Sequence, residues 1–194
     1  MQERLFAFGI LFWIFGNLQS IPCAAQITDE EKTVALQSHN DLRYNLQRCS
    51  SNSTIPPPTR MPLLIWDEDL EFGAQTWAEQ CSCDGNTWDE RSTERWSSVG
   101  QNIAGALSLQ SGVESWIDEA NQFIYEPFQC ESQAAHYTQM IWSETTHIGC
   151  GVADCSRFSD YPYGLAVVCH YGPAGNRVGE KPYVAAEQSF CDPA

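Results

Sequence analysis

Residues 135–150 read AHYTQMIWSETTHIGC and carry two of the chain's four histidines, His136 and His147. A histidine beside a tyrosine and a threonine is raw material for a general base or a metal ligand. Hydrolysis would also need a nucleophile next to that base and a third group to orient it. Glu119 offers an orienting carboxylate for His136. The nearest serine at helical spacing, Ser143, lies two turns from His136, which does not support direct contact. There is no GxSxG elbow and no HExxH helix. Asp67-Glu68-Asp69-Leu70-Glu71 imitates the start of a calcium loop but has Phe72 where that loop needs glycine. It reads more simply as an acidic helix N-terminus favoured by the helix dipole. His39 is expected to be a satisfied core histidine, and His147, leading into a strand, is expected to be exposed.

Four helices and a hairpin must position these groups. Thr28-Asp29-Glu30-Glu31 fits a capping box, after which Ala35, His39, Leu42 and Leu46 repeat at helical spacing. A Ser/Asn/Pro-rich loop follows at residues 50–62. Asp67 starts a second helix with Leu70, Ala74, Trp77, Ala78 and Cys81 along one face. Residues 82–98 read as polar and irregular. Val113, Trp116, Ile117, Ala120 and Ile124 form a third stripe, stopped at Pro127, with Glu119 at its edge where a carboxylate can face a cleft. A fourth short helix covers residues 133–142. The period then changes: Ile148, Cys150 and Val152 alternate, as do Leu165, Val167, Cys169 and Tyr171, which predicts an antiparallel hairpin. Val99 to Ala106 is a further candidate strand. Helices first and a hairpin later predict an α+β fold.

The N-terminus places Arg4 before the apolar run Leu5–Phe15, with small residues at Cys23-Ala24-Ala25. This is the pattern of a secretory signal peptide over residues 1–25, with a single mature domain over 26–194. The apolar run is short for a bilayer span, and no second run reaches that length. Nine cysteines less Cys23 leave eight, an even number that suggests a disulfide framework among about 105 possible pairings. Cys81-Ser82-Cys83 is not the CxxC of a zinc finger. If all eight pair, no free thiol remains for catalysis. Asn52-Ser53-Thr54 is a glycosylation sequon in an exposed loop. The formal net charge of −15 repels phosphate backbones and anionic membrane surfaces and disfavours nucleic acid as a partner.

Several segments together resemble the CAP superfamily of cysteine-rich secretory proteins, antigen 5 and pathogenesis-related proteins. They are His136-Tyr137-Thr138-Gln139-Met140-Ile141-Trp142 with Ile148-Gly149-Cys150, and Val168-Cys169-His170-Tyr171-Gly172-Pro173-Ala174-Gly175-Asn176. Supporting pieces are His39-Asn40 with Leu42-Arg43, Trp66 with Leu70, Ala74, Trp77-Ala78 and Cys81, and Gly100 with Asn102-Ile103. The acidic single-domain form is similar to the venom-allergen-like proteins that parasitic worms secrete. The resemblance implies an α-β-α sandwich with a central antiparallel sheet and a disulfide between Cys150 and Cys169.

It also implies a cleft built from two histidines and two acids, which in some members binds a divalent metal. His136 and Glu119 match the later histidine and acid. Gly85 stands at the earlier histidine, and Gln101, a neutral amide, at the earlier acid. One imidazole and one carboxylate are too few to grip zinc, so no metal and no cofactor are expected, and the pair reads as buried polar groups satisfying each other. A sterol-binding loop is implied at Phe123, Ile124, Tyr125 and Phe128. A fatty-acid slot between the first and fourth helices is implied at Leu42, Leu46, Tyr137, Met140 and Ile141. The expected function is a secreted, extracellular, non-enzymatic CAP protein binding a sterol or fatty acid. The alternatives are an effector or allergen acting on a host protein through surface loops, and a weak metal-dependent hydrolase.

Overall fold

The computed structural model describes residues 26–48, 55–126 and 132–187. The segment expected to be a signal peptide, residues 1–25, and Asn52, Phe128, Cys49, Cys130 and Cys191 lie outside the described residues. Helix α1 spans Asp29–Gln47 and begins at the Thr28 capping box, in which Thr28 accepts from the Glu31 amide and Glu31 accepts from the Thr28 amide. A two-residue strand β1, Ile65–Trp66, leads to α2, Glu68–Ala78, capped by Asp67. A single-turn helix α3, Trp88–Arg91, interrupts the polar stretch before β2, Gly100–Ala106. Helix α4, Leu109–Asp118, follows a Ser108 cap, and a short helix α5 spans Ala135–Met140. Strands β3, His147–Asp154, and β4, Leu165–Gly172, close the hairpin.

The sheet order is β1-β3-β4-β2. Strands β3, β4 and β2 are antiparallel, but β1 joins β3 in parallel, so the sheet is mixed rather than wholly antiparallel. Among the described residues the outer edge of β3 beyond Trp66 has no strand partner, and α2 supplies a substitute. The Gln75 amide donates to the Val152 carbonyl at 2.9 Å and accepts from the Val152 amide at 3.0 Å. Asn40 does the same for Leu64, at 3.1 and 2.7 Å.

Strand alternation divides the core. Ile148, Cys150, Val152, Val167, Cys169 and Tyr171 face one side and pack with Ala35, Val113 and Trp116 from α1 and α4. Ala153, Ala166 and Val168 face the other side, against Ala74 and Ala78 of α2. A disulfide joins Cys150 to Cys169, which are direct cross-strand partners. A second joins Cys81 to Cys155 across 74 residues. It holds Cys81 at a left-handed φ of 52° just past α2, a position that usually takes glycine. Cys83 is a free, exposed thiol, so the condition that all eight cysteines pair is not met.

The third helix also stops earlier than Pro127. It ends as an α-helix at Asp118, tightens into a 3-10 turn over Glu119–Gln122, and turns extended at Phe123. That change of backbone lets Phe123 and Tyr125 pack inward with Tyr137 and leaves Ile124 55% exposed instead of on the stripe. Among the described residues no helix is long and apolar enough to cross a membrane.

Candidate functional site

Glu119 begins the 3-10 turn after α4 and reaches the start of α5. Its Oε1 lies 2.6 Å from His136 Nδ1, while Oε2 accepts from the backbone amides of His136 and Tyr137 at 3.0 and 3.1 Å. Ala134, the residue at the cap position of α5, provides no side-chain cap. The Glu119 carboxylate therefore caps α5 from outside and fixes the His136 ring in the same grip. Trp116 stacks beside that ring, with centroids 6.0 Å apart.

Behind the pair runs a buried polar chain. Asn102 donates to the His136 carbonyl at 3.1 Å and to the Tyr171 hydroxyl at 3.0 Å. His39 Nδ1 lies 2.7 Å from the Ala35 carbonyl, which assigns the proton to that nitrogen. The Tyr171 hydroxyl then donates to His39 Nε2 at 2.8 Å. Burial lowers the His39 pKa to about 4 and raises that of Tyr171 well above its ordinary value. His39 is thus a neutral, satisfied core residue.

Gln101 is one residue from Asn102 and so faces the opposite side of β2. There its amide donates to Asn86 Oδ1 at 2.9 Å and lies 3.0 Å from Nε2 of His170, its cross-strand partner. Arg91 donates to Gln101 Oε1 at 3.3 Å and to the Val99 carbonyl at 3.0 Å. Burial pushes the His170 pKa down to about 3. Gly85 lies against this cluster: a Cβ there would sit 2.9 Å from Gln101 Oε1. The positions of the two missing cleft groups are therefore adjacent, and Asn86, Arg91 and His170 occupy their surroundings. Sequence reasoning assigned these three no role, although alternation from Cys169 already places His170 on the α2 face.

These residues do not fit a zinc ion. The Glu119 oxygens already serve three donors, Gln101 presents an amide nitrogen toward His170, and Gly85 has no side chain. Among the described residues no three His, Cys, Asp or Glu side chains form a group able to hold a metal. Nor does Ser143 serve His136: it follows α5, with its amide on the Pro182 carbonyl at 2.8 Å. His147 is half-buried rather than exposed, because the loop before β2 covers it. Arg95 Nη2 lies 3.3 Å from its Nε2, and the Trp96 ring lies 4.9 Å from its centroid.

The apolar candidates separate into core and groove. Leu46, Tyr137 and Ile141 are buried in one cluster with Phe123 and Tyr125, Met140 is buried in the main core, and half-buried Leu42 touches both. Their apolar surface is spent on one another. Phe123, Ile124 and Tyr125 instead line a groove of about 520 Å³ with Ile55, Pro56, Glu126 and Ala186. The C-terminal segment forms one wall. The Ala186 amide donates to the Pro57 carbonyl at 2.7 Å, and the Tyr183 hydroxyl to the Pro56 carbonyl at 2.9 Å.

The family model for the cysteine-rich secretory protein family, CAP, matches residues 36–171. Venom allergen 5.01 of Dolichovespula maculata is 36% identical over 171 residues, covering 81% of this chain and 73% of that protein. GLIPR1-like protein 1 of Mus musculus is 32% identical over 185 residues, covering 91% and 74%. Among solved structures, venom allergen-like protein 4 of Schistosoma mansoni superposes with a TM-score of 0.73 at 25% identity, over 85% of this chain and all of that one. NaASP2, solved with Zn2+, superposes with a TM-score of 0.68 at 26% identity, over 83% of this chain and 88% of that one. With a family model spanning more than half of its length, the chain belongs to the cysteine-rich secretory protein (CAP) family.

Proposed function

We propose that this chain is a secreted, non-catalytic CAP-domain protein that carries a sterol or fatty acid in the groove between Ile55, Phe123, Ile124 and Ala186. The observation that carries this reading is the groove itself, about 520 Å³ with apolar and polar surface in similar shares, and with Ile124 left 55% exposed at its edge. Pockets of this size suit small apolar ligands. Covering the exposed half of Ile124 contributes about 1 kcal/mol toward uptake. The non-catalytic part rests on Glu119, whose oxygens are committed to capping α5 and holding His136. The apolar, signal-like N-terminus and the two disulfides among the described residues support export to an oxidising compartment.

The test is saturable binding of labelled cholesterol and labelled palmitate, each measured separately on delipidated, oxidised mature protein. We expect at least one of them to saturate near one molecule per chain, and Ile124→Asp to weaken that uptake at least about tenfold. Absence of saturable uptake of both lipids would sink the reading.

A further inference from the structure

We propose that the loop over residues 92–98 is an acid-sensitive strap, latched by Arg95 between Asp67 and a neutral His147 and released when His147 takes up a proton. The loop carries the chain from α3 to β2. Arg95 Nη1 lies 2.7 Å from Oδ2 of Asp67, a carboxylate only 1% exposed whose other oxygen caps α2. Arg95 Nη2 lies 3.3 Å from His147 Nε2 at the start of β3. The Trp96 ring rests on Gly172 at the end of β4, where a Cβ would come within 2.6 Å of it, and its centroid is 4.9 Å from that of His147. A tight turn keeps these side chains together: the Thr93 amide donates to the Trp96 carbonyl at 2.8 Å, and the Trp96 amide to the Thr93 hydroxyl at 2.9 Å. The Ser98 carbonyl accepts from the Ala174 amide at 3.0 Å.

The latch accepts one protonation state of the ring. The Thr146 hydroxyl donates to the Gly172 carbonyl at 3.3 Å and lies 2.8 Å from His147 Nδ1, so it accepts the Nδ1 proton. Nε2 is left as a lone pair, which is what a guanidinium donor needs. A proton on Nε2 would set N–H against N–H and place two cations side by side. Two charged groups bear on the ring, Arg95 opposing its protonation and Asp67 favouring it. Its cross-strand partners, Ile65 of β1 and Gly172 of β4, bring no charge. Burial, followed by Arg95, holds the His147 pKa below its ordinary value. The closed loop therefore binds the proton less well than the open one, and falling pH favours opening. Trp96 Nε1 adds to that bias: it is buried with no hydrogen-bond partner among the described residues, and it gains water when the loop lifts.

The experiment is hydrogen exchange on the full mature protein at about pH 7.5 and about pH 5, with each rate referred to the intrinsic rate at that pH. The amides read are those of Thr93, Trp96 and Ala174, whose hydrogen bonds the lifted loop gives up. In the wild type their protection should fall about tenfold on acidification. His147→Gln keeps an acceptor for Arg95 but cannot titrate, and should remove that fall. His39 and His170 remain in both proteins, so the difference between the two reports His147 alone. Arg95→Gln removes the latch itself. It should leave the three amides as weakly protected at the higher pH as the wild type is at the lower, while slow exchange along β4 shows that the fold is kept. Protection in the wild type that does not change with pH, or a fall as large in His147→Gln, would overturn the proposal. So would an Arg95→Gln loop as protected as that of the wild type.

Discussion

The two oxygens of Glu119 are divided between the ring and the backbone of His136, one 2.6 Å from Nδ1 and the other 3.0 Å from the amide nitrogen. The division makes the two residues unequal. Removing the imidazole with His136→Ala costs one charge-assisted hydrogen bond at a half-exposed site, about 1 kcal/mol. Removing the carboxylate with Glu119→Ala also uncaps the His136 and Tyr137 amides, for about 2–3 kcal/mol in total. Urea unfolding of both variants checks the order. A larger loss from His136→Ala would show that the ring, not the cap, is what the carboxylate serves.

Two buried rings give the protein an acid limit. His39 and His170 have folded pKa values of about 4 and about 3, both below the ordinary histidine value near 6.5. The unfolded chain therefore binds more protons than the folded one between those values. Their contribution to stability is complete above about pH 6.5 and is lost as pH falls toward 4 for His39 and toward 3 for His170. Each ring accounts for about 2 kcal/mol between pH 7 and pH 5, a window in which most carboxylates stay ionised. Unfolding free energies measured across that window should fall by about 4 kcal/mol in the wild type and by about half as much in His170→Asn. An equal slope in the variant would remove His170 from the account.

What was legible in the sequence was local. Thr28 with Glu31 and Asp67 before Leu70 announce helix starts because a cap and its amide lie three residues apart. The alternation of β3 and β4 announces the hairpin because the side-chain period is fixed by the pleat. The rest is set over long distances. Gln75 and Asn40 read as ordinary polar helix residues, yet they complete the backbone bonding of strand and loop. Helical spacing predicts Leu42 on the buried stripe of α1, but Arg43 beside it is the fully buried residue, because four carbonyls from remote loops await its guanidinium. In the site, the pairing of Glu119 with His136 follows from their types. The turn of Gln101 away toward His170 depends on which face of β2 it occupies, which no motif states.

Arg43 carries the next prediction. Its Nε donates to the Pro62 carbonyl at 2.8 Å, Nη1 to those of Met140 and Trp142 at 2.9 and 3.0 Å, and Nη2 to that of Thr145 at 3.0 Å. Burial lowers its pKa to about 10, so it remains charged at neutral pH. One side chain thus ties α1 to the turn between α5 and β3. Arg43→Met should leave buried carbonyls without donors and cost about 3 kcal/mol or more. Arg43→Lys should recover only part of this, because an ammonium cannot reach carbonyls spread around a planar fork. Thermal unfolding is the measurement, with an expected drop of about 10 °C for the methionine variant. A lysine variant as stable as the wild type would show that charge, not fork geometry, is what the site needs.

Helix α2 lies directly on the sheet because β3 has glycine at two positions beneath it. A Cβ at Gly149 would lie 2.1 Å from the Glu71 amide nitrogen, and one at Gly151 would lie 2.3 Å from the Gln75 Cα. Both clashes are with backbone, so no side-chain rotation relieves them. Gly151→Ala should lift α2 off β3, weaken the paired Gln75–Val152 hydrogen bonds, and destabilise by about 3 kcal/mol. Gly179→Ala is the contrasting case. A Cβ there meets nothing within 4 Å, but its φ of +80° is strained for alanine, so about 1 kcal/mol is expected from the backbone alone. Hydrogen exchange separates the two. Gly151→Ala should speed exchange along α2 and at the Val152 amide, whereas Gly179→Ala should leave both protected. Unchanged protection of α2 in Gly151→Ala would mean that the helix has room to shift, and that the close approach is not what fixes it to the sheet.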